Sequence, residues 1–153
     1  MDNQINISPQ RHDSNLRPKV VAIDDEPSVL ALYEAALETF CDIYLFQNGE
    51  EALAFIKSNQ IALAIVDRKL PDMSGDELCN CIRDYPRTRN LPIIIISALN
   101  EVDDIVEMMP RQRIDTYLTK PITIARLQKH VRSQIDPDRP KTSSFPMQER
   151  GTL

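Results

Sequence analysis

Five short apolar runs, rich in branched side chains, alternate along the chain with segments of helical periodicity. The runs are "VVAI" (20–23), "IYLF" (43–46), "ALAIV" (62–66), "IIIIS" (93–97) and the weaker "IDTYL" (114–118). Continuous apolar runs of this length predict strands that are buried on both faces. Apolar residues recur at helical spacing from Val29 to Phe40 and from Ile124 to Ile135, which predicts amphipathic helices between and after the strands.

Local start signals support several of these helices. Ser74 followed by Glu77 fits a capping box, Asn48 is placed to cap a helix over residues 49–58, and Pro27 suits a first helical turn. A fourth helix is predicted over "EVDDIVEMM" (101–109), and Pro110 ends it.

Five strands, each followed by a helix, predict an α/β fold of the (βα)5 type. Because crossovers between parallel strands are right-handed, the sheet should be parallel, open and covered by helices on both faces. Ligands of such sheets bind beyond the carboxyl ends of the strands. The sequence therefore directs attention to the residues at those strand ends.

Polar side chains with complementary chemistry stand at these ends. Asp24 and Asp25 follow the first strand, Asp67 the third, Ser97 closes the fourth, and Lys120 follows the fifth. Because the carboxyl ends of parallel strands lie at one edge of the sheet, we expect these side chains to converge.

Such a set suits phosphoryl transfer. Two carboxylates a few ångströms apart repel by roughly 4 kcal/mol at an effective dielectric constant of 20, so a cation is needed to keep both ionised. Oxygen ligands of this kind favour Mg²⁺, and a carboxylate can act as the nucleophile toward phosphorus. Lys120 and Ser97 would then hold the phosphoryl oxygens.

Composition narrows the class of partner. A chain of 153 residues that is 42% hydrophobic can bury the core of one domain. The net charge of -5 and the lack of a basic block argue against direct binding to nucleic acid or to an anionic membrane.

We find no signal-peptide h-region in the first eighteen residues and no apolar run long enough to span a membrane, which favours the cytoplasm. Three cysteines without metal-ligand spacing are interpreted as reduced structural thiols.

Four separated motifs give the chain its resemblance to the receiver domain of two-component response regulators. They are "DDE" (24–26), "DRKLPDMSGDEL" (67–78), "SA" (97–98) and "YLTKP" (117–121). The resemblance covers about residues 19–135 and implies a flavodoxin-like domain with strand order 2-1-3-4-5. Residues 1–18 are then a flexible extension, and residues 136–153, with three prolines, a flexible tail or a linker to an output domain.

The resemblance also implies a role for each motif residue. Asp67 would be the phosphoacceptor. Mg²⁺ would be held by Asp25 directly, by Asp24 largely through water, by Asp67 and by the backbone carbonyl of Lys69. Ser97 and Tyr117 would be switch residues, Ala98 would leave room for the phosphodonor, Lys120 would bind the phosphoryl group, and the bond before Pro121 would be cis.

The implied activity is that of a phosphoacceptor module rather than an enzyme with a separate substrate. A sensor histidine kinase or a phosphotransfer protein would supply the phosphoryl group, and autodephosphorylation would remove it. Phosphorylation would reshape the face formed by the fourth helix, fifth strand and fifth helix, and so control a downstream protein or an output domain. Nothing resembles a DNA-binding helix-turn-helix.

Two features depart from the family pattern, and two alternatives stay open. Arg113 stands where the family commonly has glycine, and the charge of Lys69 is hypothesised to alter the lifetime of the acyl phosphate. One alternative is a pseudo-receiver that binds proteins without phosphorylation. The other is a phosphatase of the haloacid dehalogenase type, which wants a second aspartate where Lys69 stands.

Overall fold

The computed structural model describes residues 17–98, 114–136, 138 and 147–148. The strands are β1 Lys19–Ile23, β2 Asp42–Phe46, β3 Leu63–Asp67, β4 Ile93–Ser97, β5 Thr116–Thr119 and β6 Met147–Gln148. The helices are α1 Pro27–Leu37, α2 Gly49–Ser58, α3 Gly75–Asp84, a 3-10 turn at Pro86–Thr88 and a C-terminal helix, Ile124–Ile135. The predicted fourth helix and Arg113 lie outside the described residues.

All strand pairs of the sheet are parallel, in the order β2-β1-β3-β4-β5-β6. The predicted order 2-1-3-4-5 is therefore confirmed. The sixth strand was not predicted: Met147 and Gln148 lie opposite Thr116 and Tyr117 of β5. These two residues fall within the segment for which the sequence predicts a flexible tail or linker, and they add a short strand to the edge of the sheet.

The helix starts follow the predicted caps. The Ser74 hydroxyl accepts the backbone N–H of Glu77 at 3.0 Å, while the Glu77 carboxylate accepts that of Ser74 at 3.1 Å. Asn48 accepts the N–H of Glu51 at 2.9 Å, and Pro27 begins α1. The side-chain oxygens of Ser74 and Asn48 satisfy N–H groups that the first turn of a helix leaves without a partner.

The core lies on both sides of the sheet, as the alternation predicts. On one side, Val21 and Ile23 of β1 belong to the cluster that α2 and α3 cover. On the other side, Val20 and Ala22 belong to the cluster covered by α1 and the C-terminal helix. β3 and β4 are buried throughout, whereas all five residues of β2 are only half-buried. The prediction that β2 is buried on both faces is wrong, because this strand forms an edge of the sheet.

The three cysteines are free thiols inside or near the core. Cys41 and Cys79 are buried, and burial raises the pKa of their thiols to about 11 and about 12 respectively. Thiols with such values stay protonated and unreactive near neutral pH, in agreement with the predicted structural role. Among the helices that the structure describes, none has the length and apolar character needed to cross a membrane.

Candidate metal centre

The strand register brings three carboxylates to the carboxyl edge of the sheet. Ile23 lies opposite Val66, so Asp24, the next residue after β1, comes beside Asp67 at the end of β3. One carboxylate oxygen each from Asp24, Asp25 and Asp67 lies within 4.8 Å of the others. The acids that sequence analysis placed at separate strand ends therefore form one cluster.

The three acids differ in their surroundings. Asp24 is fully buried and Asp67 is 7% exposed, whereas Asp25 faces solvent. The Asp24 carboxylate also accepts the backbone N–H of Glu26 at 2.9 Å, which fixes the loop after β1. A buried carboxylate needs such partners, because losing water without compensation costs several kcal/mol.

Lys120 connects two of these acids across the sheet. Its Nζ lies 2.9 Å from Oδ2 of Asp24 and 3.4 Å from Oδ1 of Asp67. Its backbone N–H donates to the Ser97 carbonyl at 2.8 Å, which places the loop after β5 against the end of β4. Burial lowers the pKa of the Lys120 ammonium, but the two ion pairs outweigh that effect and raise it above its ordinary value. The lysine is therefore a fixed positive charge of the cluster.

Asp67 is the acid with the most perturbed protonation. Burial and the neighbouring Asp24 carboxylate raise its pKa, Lys120 offsets them only in part, and the result is a pKa of about 6 against an ordinary 3.8. Its carboxylate is then mostly ionised at neutral pH, although the ionised form is less stable there than it would be in water. A carboxylate in this condition gains more from a cation than a solvated one does.

The residues present fit a Mg²⁺ ion. Among the described residues, three carboxylates and one ammonium give this cluster a net charge of two negative units, and the ligand oxygens lie within 4.8 Å of one another. Mg²⁺ prefers such hard oxygen ligands and is commonly bound by one or two carboxylates together with waters and phosphate oxygens. Lys69, whose backbone carbonyl is a further predicted ligand, lies two residues past Asp67 and bridges to Ser74 across the β3–α3 loop.

The other predicted site residues lie around this cluster. Ser97 is fully buried, and its hydroxyl lies 3.4 Å from the Ala98 carbonyl. Ala98 is exposed, whereas Tyr117 is only 6% exposed and packs into the core on the side of α2 and α3. The peptide bond between Lys120 and Pro121 is cis. Tyr117 is thus already packed inward in this structure.

A groove of about 420 Å³ opens beside the cluster. Residues of α1 and of the loop after β5 line it, together with Ala98: Val29, Leu32, Tyr33, Ala98, Lys120, Pro121 and Ile122. The apolar stripe from Val29 to Phe40 includes Tyr33, but helical spacing alone does not indicate that its ring lines this groove. Burial and the nearby carboxylates raise the pKa of its phenol far above the ordinary value, so it remains a neutral wall of the groove.

Two further residues have contacts at this edge that the sequence does not predict, Asp72 in the β3–α3 loop and Gly75 at the start of α3. Gly75 packs so closely that a Cβ atom there would lie 2.6 Å from the Asp67 carbonyl oxygen and 2.9 Å from Arg68 Cα. Asp72 accepts hydrogen bonds from the start of α2. Both residues belong to the motif "DRKLPDMSGDEL". The spacing within this motif does not show which atoms elsewhere in the fold Asp72 and Gly75 contact.

Comparison with known proteins gives one consistent family. The family model described as the response regulator receiver domain matches residues 20–132. The phosphate regulon transcriptional regulatory protein PhoB of Rhizobium meliloti (strain 1021) is 32% identical over 129 residues, which cover 83% of this chain and 56% of that protein. The signal transduction histidine-protein kinase BarA of Shigella flexneri is 31% identical over 125 residues, or 81% of this chain and 14% of the kinase.

Solved structures agree with the sequence comparison. A sensor protein from Polaromonas sp. JS666 superposes with a TM-score of 0.72 at 30% identity, covering 78% of this chain and 97% of that one. The chain spans about half the length of PhoB and a small part of BarA, so it matches only part of each protein.

Proposed function

The chain belongs to the response regulator receiver domain family, and from this premise we propose that it accepts a phosphoryl group on Asp67 in a Mg²⁺-dependent reaction. The observation that carries the proposal is the convergence of Asp24, Asp25 and Asp67 within 4.8 Å, with Lys120 at 2.9 and 3.4 Å from two of them. Each of these side chains comes from the end of a strand or the loop after it, and together they supply a nucleophile, metal ligands and a cation.

In the proposed reaction a carboxylate oxygen of Asp67 attacks the phosphorus of a phosphohistidine on a partner protein. A P–O bond forms as the P–N bond breaks, and the electron pair of that bond leaves with the imidazole nitrogen. Asp25, Asp67 and the Lys69 carbonyl would hold Mg²⁺ directly and Asp24 largely through water, and the ion would compensate the charge on the phosphoryl oxygens. Hydrolysis of the resulting acyl phosphate by water restores Asp67.

Residues at the ends of β4 and β5 hold the transferred group. The Lys120 ammonium is near enough to Asp67 to reach a phosphoryl oxygen on it. The Ser97 hydroxyl, which lies 3.4 Å from the Ala98 carbonyl, would turn toward another. Preplaced charges and donors of this kind are the main contribution of a protein to phosphoryl transfer. Ala98 is small and exposed, so it leaves the approach to Asp67 open.

The switch is proposed to act through Ser97 and Tyr117 on the face formed by the predicted fourth helix, β5 and the C-terminal helix. Family members act with histidine kinases and output domains, and we propose a kinase or phosphotransfer protein as the donor. A downstream protein or an output domain would read the face. With a net charge of -5, this chain itself is not proposed to contact nucleic acid. Residues 19–135 are proposed as the receiver, flanked by segments 1–18 and 136–153.

The test uses the full chain, Mg²⁺ and a small phosphodonor such as acetyl phosphate, with intact mass as the measurement. We expect the wild type to gain one phosphoryl group and Asp67→Asn to gain none. Asp84→Asn is the matched control, since Asp84 is exposed at the end of α3, and it should be modified like the wild type.

A second measurement separates the alternatives. A wild type that stays unmodified and also fails to bind beryllofluoride in the presence of Mg²⁺ would refute the proposal. A pseudo-receiver acting as an interaction module would then be the remaining function. A phosphorylated Asp67→Asn variant would place the acceptor elsewhere.

A further inference from the structure

The β3–α3 loop, which carries Lys69, is tied at its tip to the first turn of α2. Each carboxylate oxygen of Asp72 accepts one hydrogen bond: Oδ1 accepts the backbone N–H of Gly49 and Oδ2 that of Glu50, both at 2.8 Å. Twenty-odd residues separate these partners in sequence. Asp72 therefore joins two loops at the carboxyl edge, one with candidate metal ligands and one without.

These bonds complete the start of α2. The first N–H groups of a helix have no partner within it, and here Asn48 takes that of Glu51 while Asp72 takes the two before it. The hydrogen bond from Gly49, followed by that from Glu50, holds the pKa of the Asp72 carboxyl below its ordinary value. The carboxylate is thus ionised at neutral pH, as a bond to the positive end of a helix requires.

Side-chain packing also holds the tip of the β3–α3 loop against the first turn of α2. A Cβ atom at Gly49 would lie 2.7 Å from Cγ and 2.8 Å from Sδ of Met73, so the Met73 side chain rests directly on the glycine. We call Asp72 and Met73, with Gly49 and Glu50, the latch. The latch combines a paired hydrogen bond with a close contact between Gly49 and the Met73 side chain.

The base of the loop is fixed separately. The N–H of Gly75 donates to the Arg68 carbonyl at 2.7 Å, and Lys69 bridges to Ser74. Lys69 therefore lies between a closed base and a latched tip. Its backbone has little freedom to move relative to α2 while both attachments hold.

The segment before α2 also contacts the loop that carries the other acids. The backbone N–H of Asp24 donates to the Phe46 carbonyl at 3.0 Å, and the Gln47 amide lies 3.4 Å from the Asp25 carbonyl. Residues from the end of β2 to the first turn of α2 thus touch the β1–α1 loop on one side and the β3–α3 loop on the other.

We propose that Asp72 is a positioning residue of the metal centre: it fixes the loop with Asp67 and Lys69 at a set distance from Asp24 and Asp25 by binding the first turn of α2. Asp72 does not itself contact the ion. The proposal rests on the proposed function, because it assumes that these groups bind Mg²⁺. Residues that orient metal ligands typically change affinity by about ten-fold or more when they are replaced.

The experiment compares Mg²⁺ binding to the full chain by titration calorimetry for the wild type, Asp72→Ala, Asp72→Asn and Glu50→Gln. We expect Asp72→Ala to bind Mg²⁺ about ten-fold more weakly. Asp72→Asn keeps one acceptor oxygen and should fall between that variant and the wild type. Glu50→Gln removes a charge from the same helix start but leaves both backbone bonds intact, and it should bind like the wild type.

Amide hydrogen exchange supplies a readout independent of the metal. The N–H groups of Gly49 and Glu50 should exchange faster in Asp72→Ala than in the wild type. If they do so while the Mg²⁺ affinity stays unchanged, Asp72 is only a helix cap and the proposal is overturned. An equal loss of affinity in Glu50→Gln would also overturn it, because charge rather than bonding would then be responsible.

If the wild type does not bind Mg²⁺, both the proposed function and the proposed positioning role of Asp72 are refuted. If the wild type binds Mg²⁺ and both Asp72→Asn and Asp72→Ala bind it as tightly as the wild type does, only the proposed role of Asp72 is refuted. Should Asp72→Ala not fold, the comparison of Asp72→Asn with Glu50→Gln decides the question.

Discussion

Replacement of Asp67 by asparagine should stabilise the protein when Mg²⁺ has been removed by a chelator. Asp67 is 7% exposed, and burial together with Asp24 raises its pKa from 3.8 to about 6. The folded protein thus holds the ionised carboxylate in a less favourable environment than the unfolded chain does. Asparagine has nearly the same shape and no charge, so it removes this penalty.

The sign and size follow from proton linkage. Between the two pKa values of 3.8 and about 6 the folded state binds more protons than the unfolded state, so the stability of the wild type falls as pH rises through this window. At about 1.36 kcal/mol for each pH unit, the full penalty above pH 6 is at most about 3 kcal/mol. The pKa of about 6 already includes the attraction of Lys120, so this limit is a net value, and we expect a stabilisation of about 1 to 3 kcal/mol.

Urea unfolding of both proteins at about pH 8 and about pH 4, with chelator present, measures this difference. The asparagine variant should be more stable at the higher pH, and most of its advantage should be lost at the lower one, where the folded wild type is protonated at Asp67 and its unfolded chain partly so. A variant that is less stable than the wild type at about pH 8 would refute the reasoning. It would mean that the ion pair with Lys120 stabilises the fold by more than burial of Asp67 costs.

The two described glycines form a matched pair, since both begin helices but meet different neighbours. Gly75→Ala should destabilise by about 1 to 3 kcal/mol in thermal unfolding, because its Cβ would meet the backbone of Asp67 and Arg68 at 2.6 and 2.9 Å. Gly49→Ala should cost less, since it meets only the flexible Met73 side chain; equal losses would contradict this argument. Lys69→Asn should change the decay rate of phosphorylated Asp67 in a phosphate-release assay, and an unchanged rate would show that the lysine charge has no influence on water access.

The strand order and the position of the acids could be predicted because each depends on a short-range pattern and a general rule. Short apolar runs such as Ile93–Ser97 are typical of buried strands. When such strands are parallel, the residues that follow them lie at the same edge of the sheet. The cluster of Asp24, Asp25 and Asp67 follows from these two facts alone.

The contacts within the site could not be predicted in the same way. Nothing in spacing shows that Lys120 lies 2.9 Å from Asp24 and 3.4 Å from Asp67, because that depends on how far each loop extends past its strand. Asp72 has the sequence context of an ordinary turn residue after proline, and its partners at the start of α2 are set by tertiary packing. The half-buried state of β2 likewise depends on its place at an edge of the sheet, which an apolar run does not encode.

One electrostatic imbalance connects the protonation of Asp67 with its proposed chemistry. Asp24 is fully buried and already holds Lys120 at 2.9 Å. Within the described part of the structure the two acids share this one ammonium, and Asp67 is under-compensated, in agreement with its raised pKa of about 6. The repulsion that favours a proton on Asp67 also favours a divalent cation beside it, and the two compete for the same carboxylate. Near neutral pH the proton is mostly lost, and an ionised Asp67 is what the proposed metal binding and the proposed nucleophilic attack both require. A fully compensated Asp67, with a second lysine nearby, would stay ionised over a wider pH range but would gain less from the ion on which the proposed transfer depends.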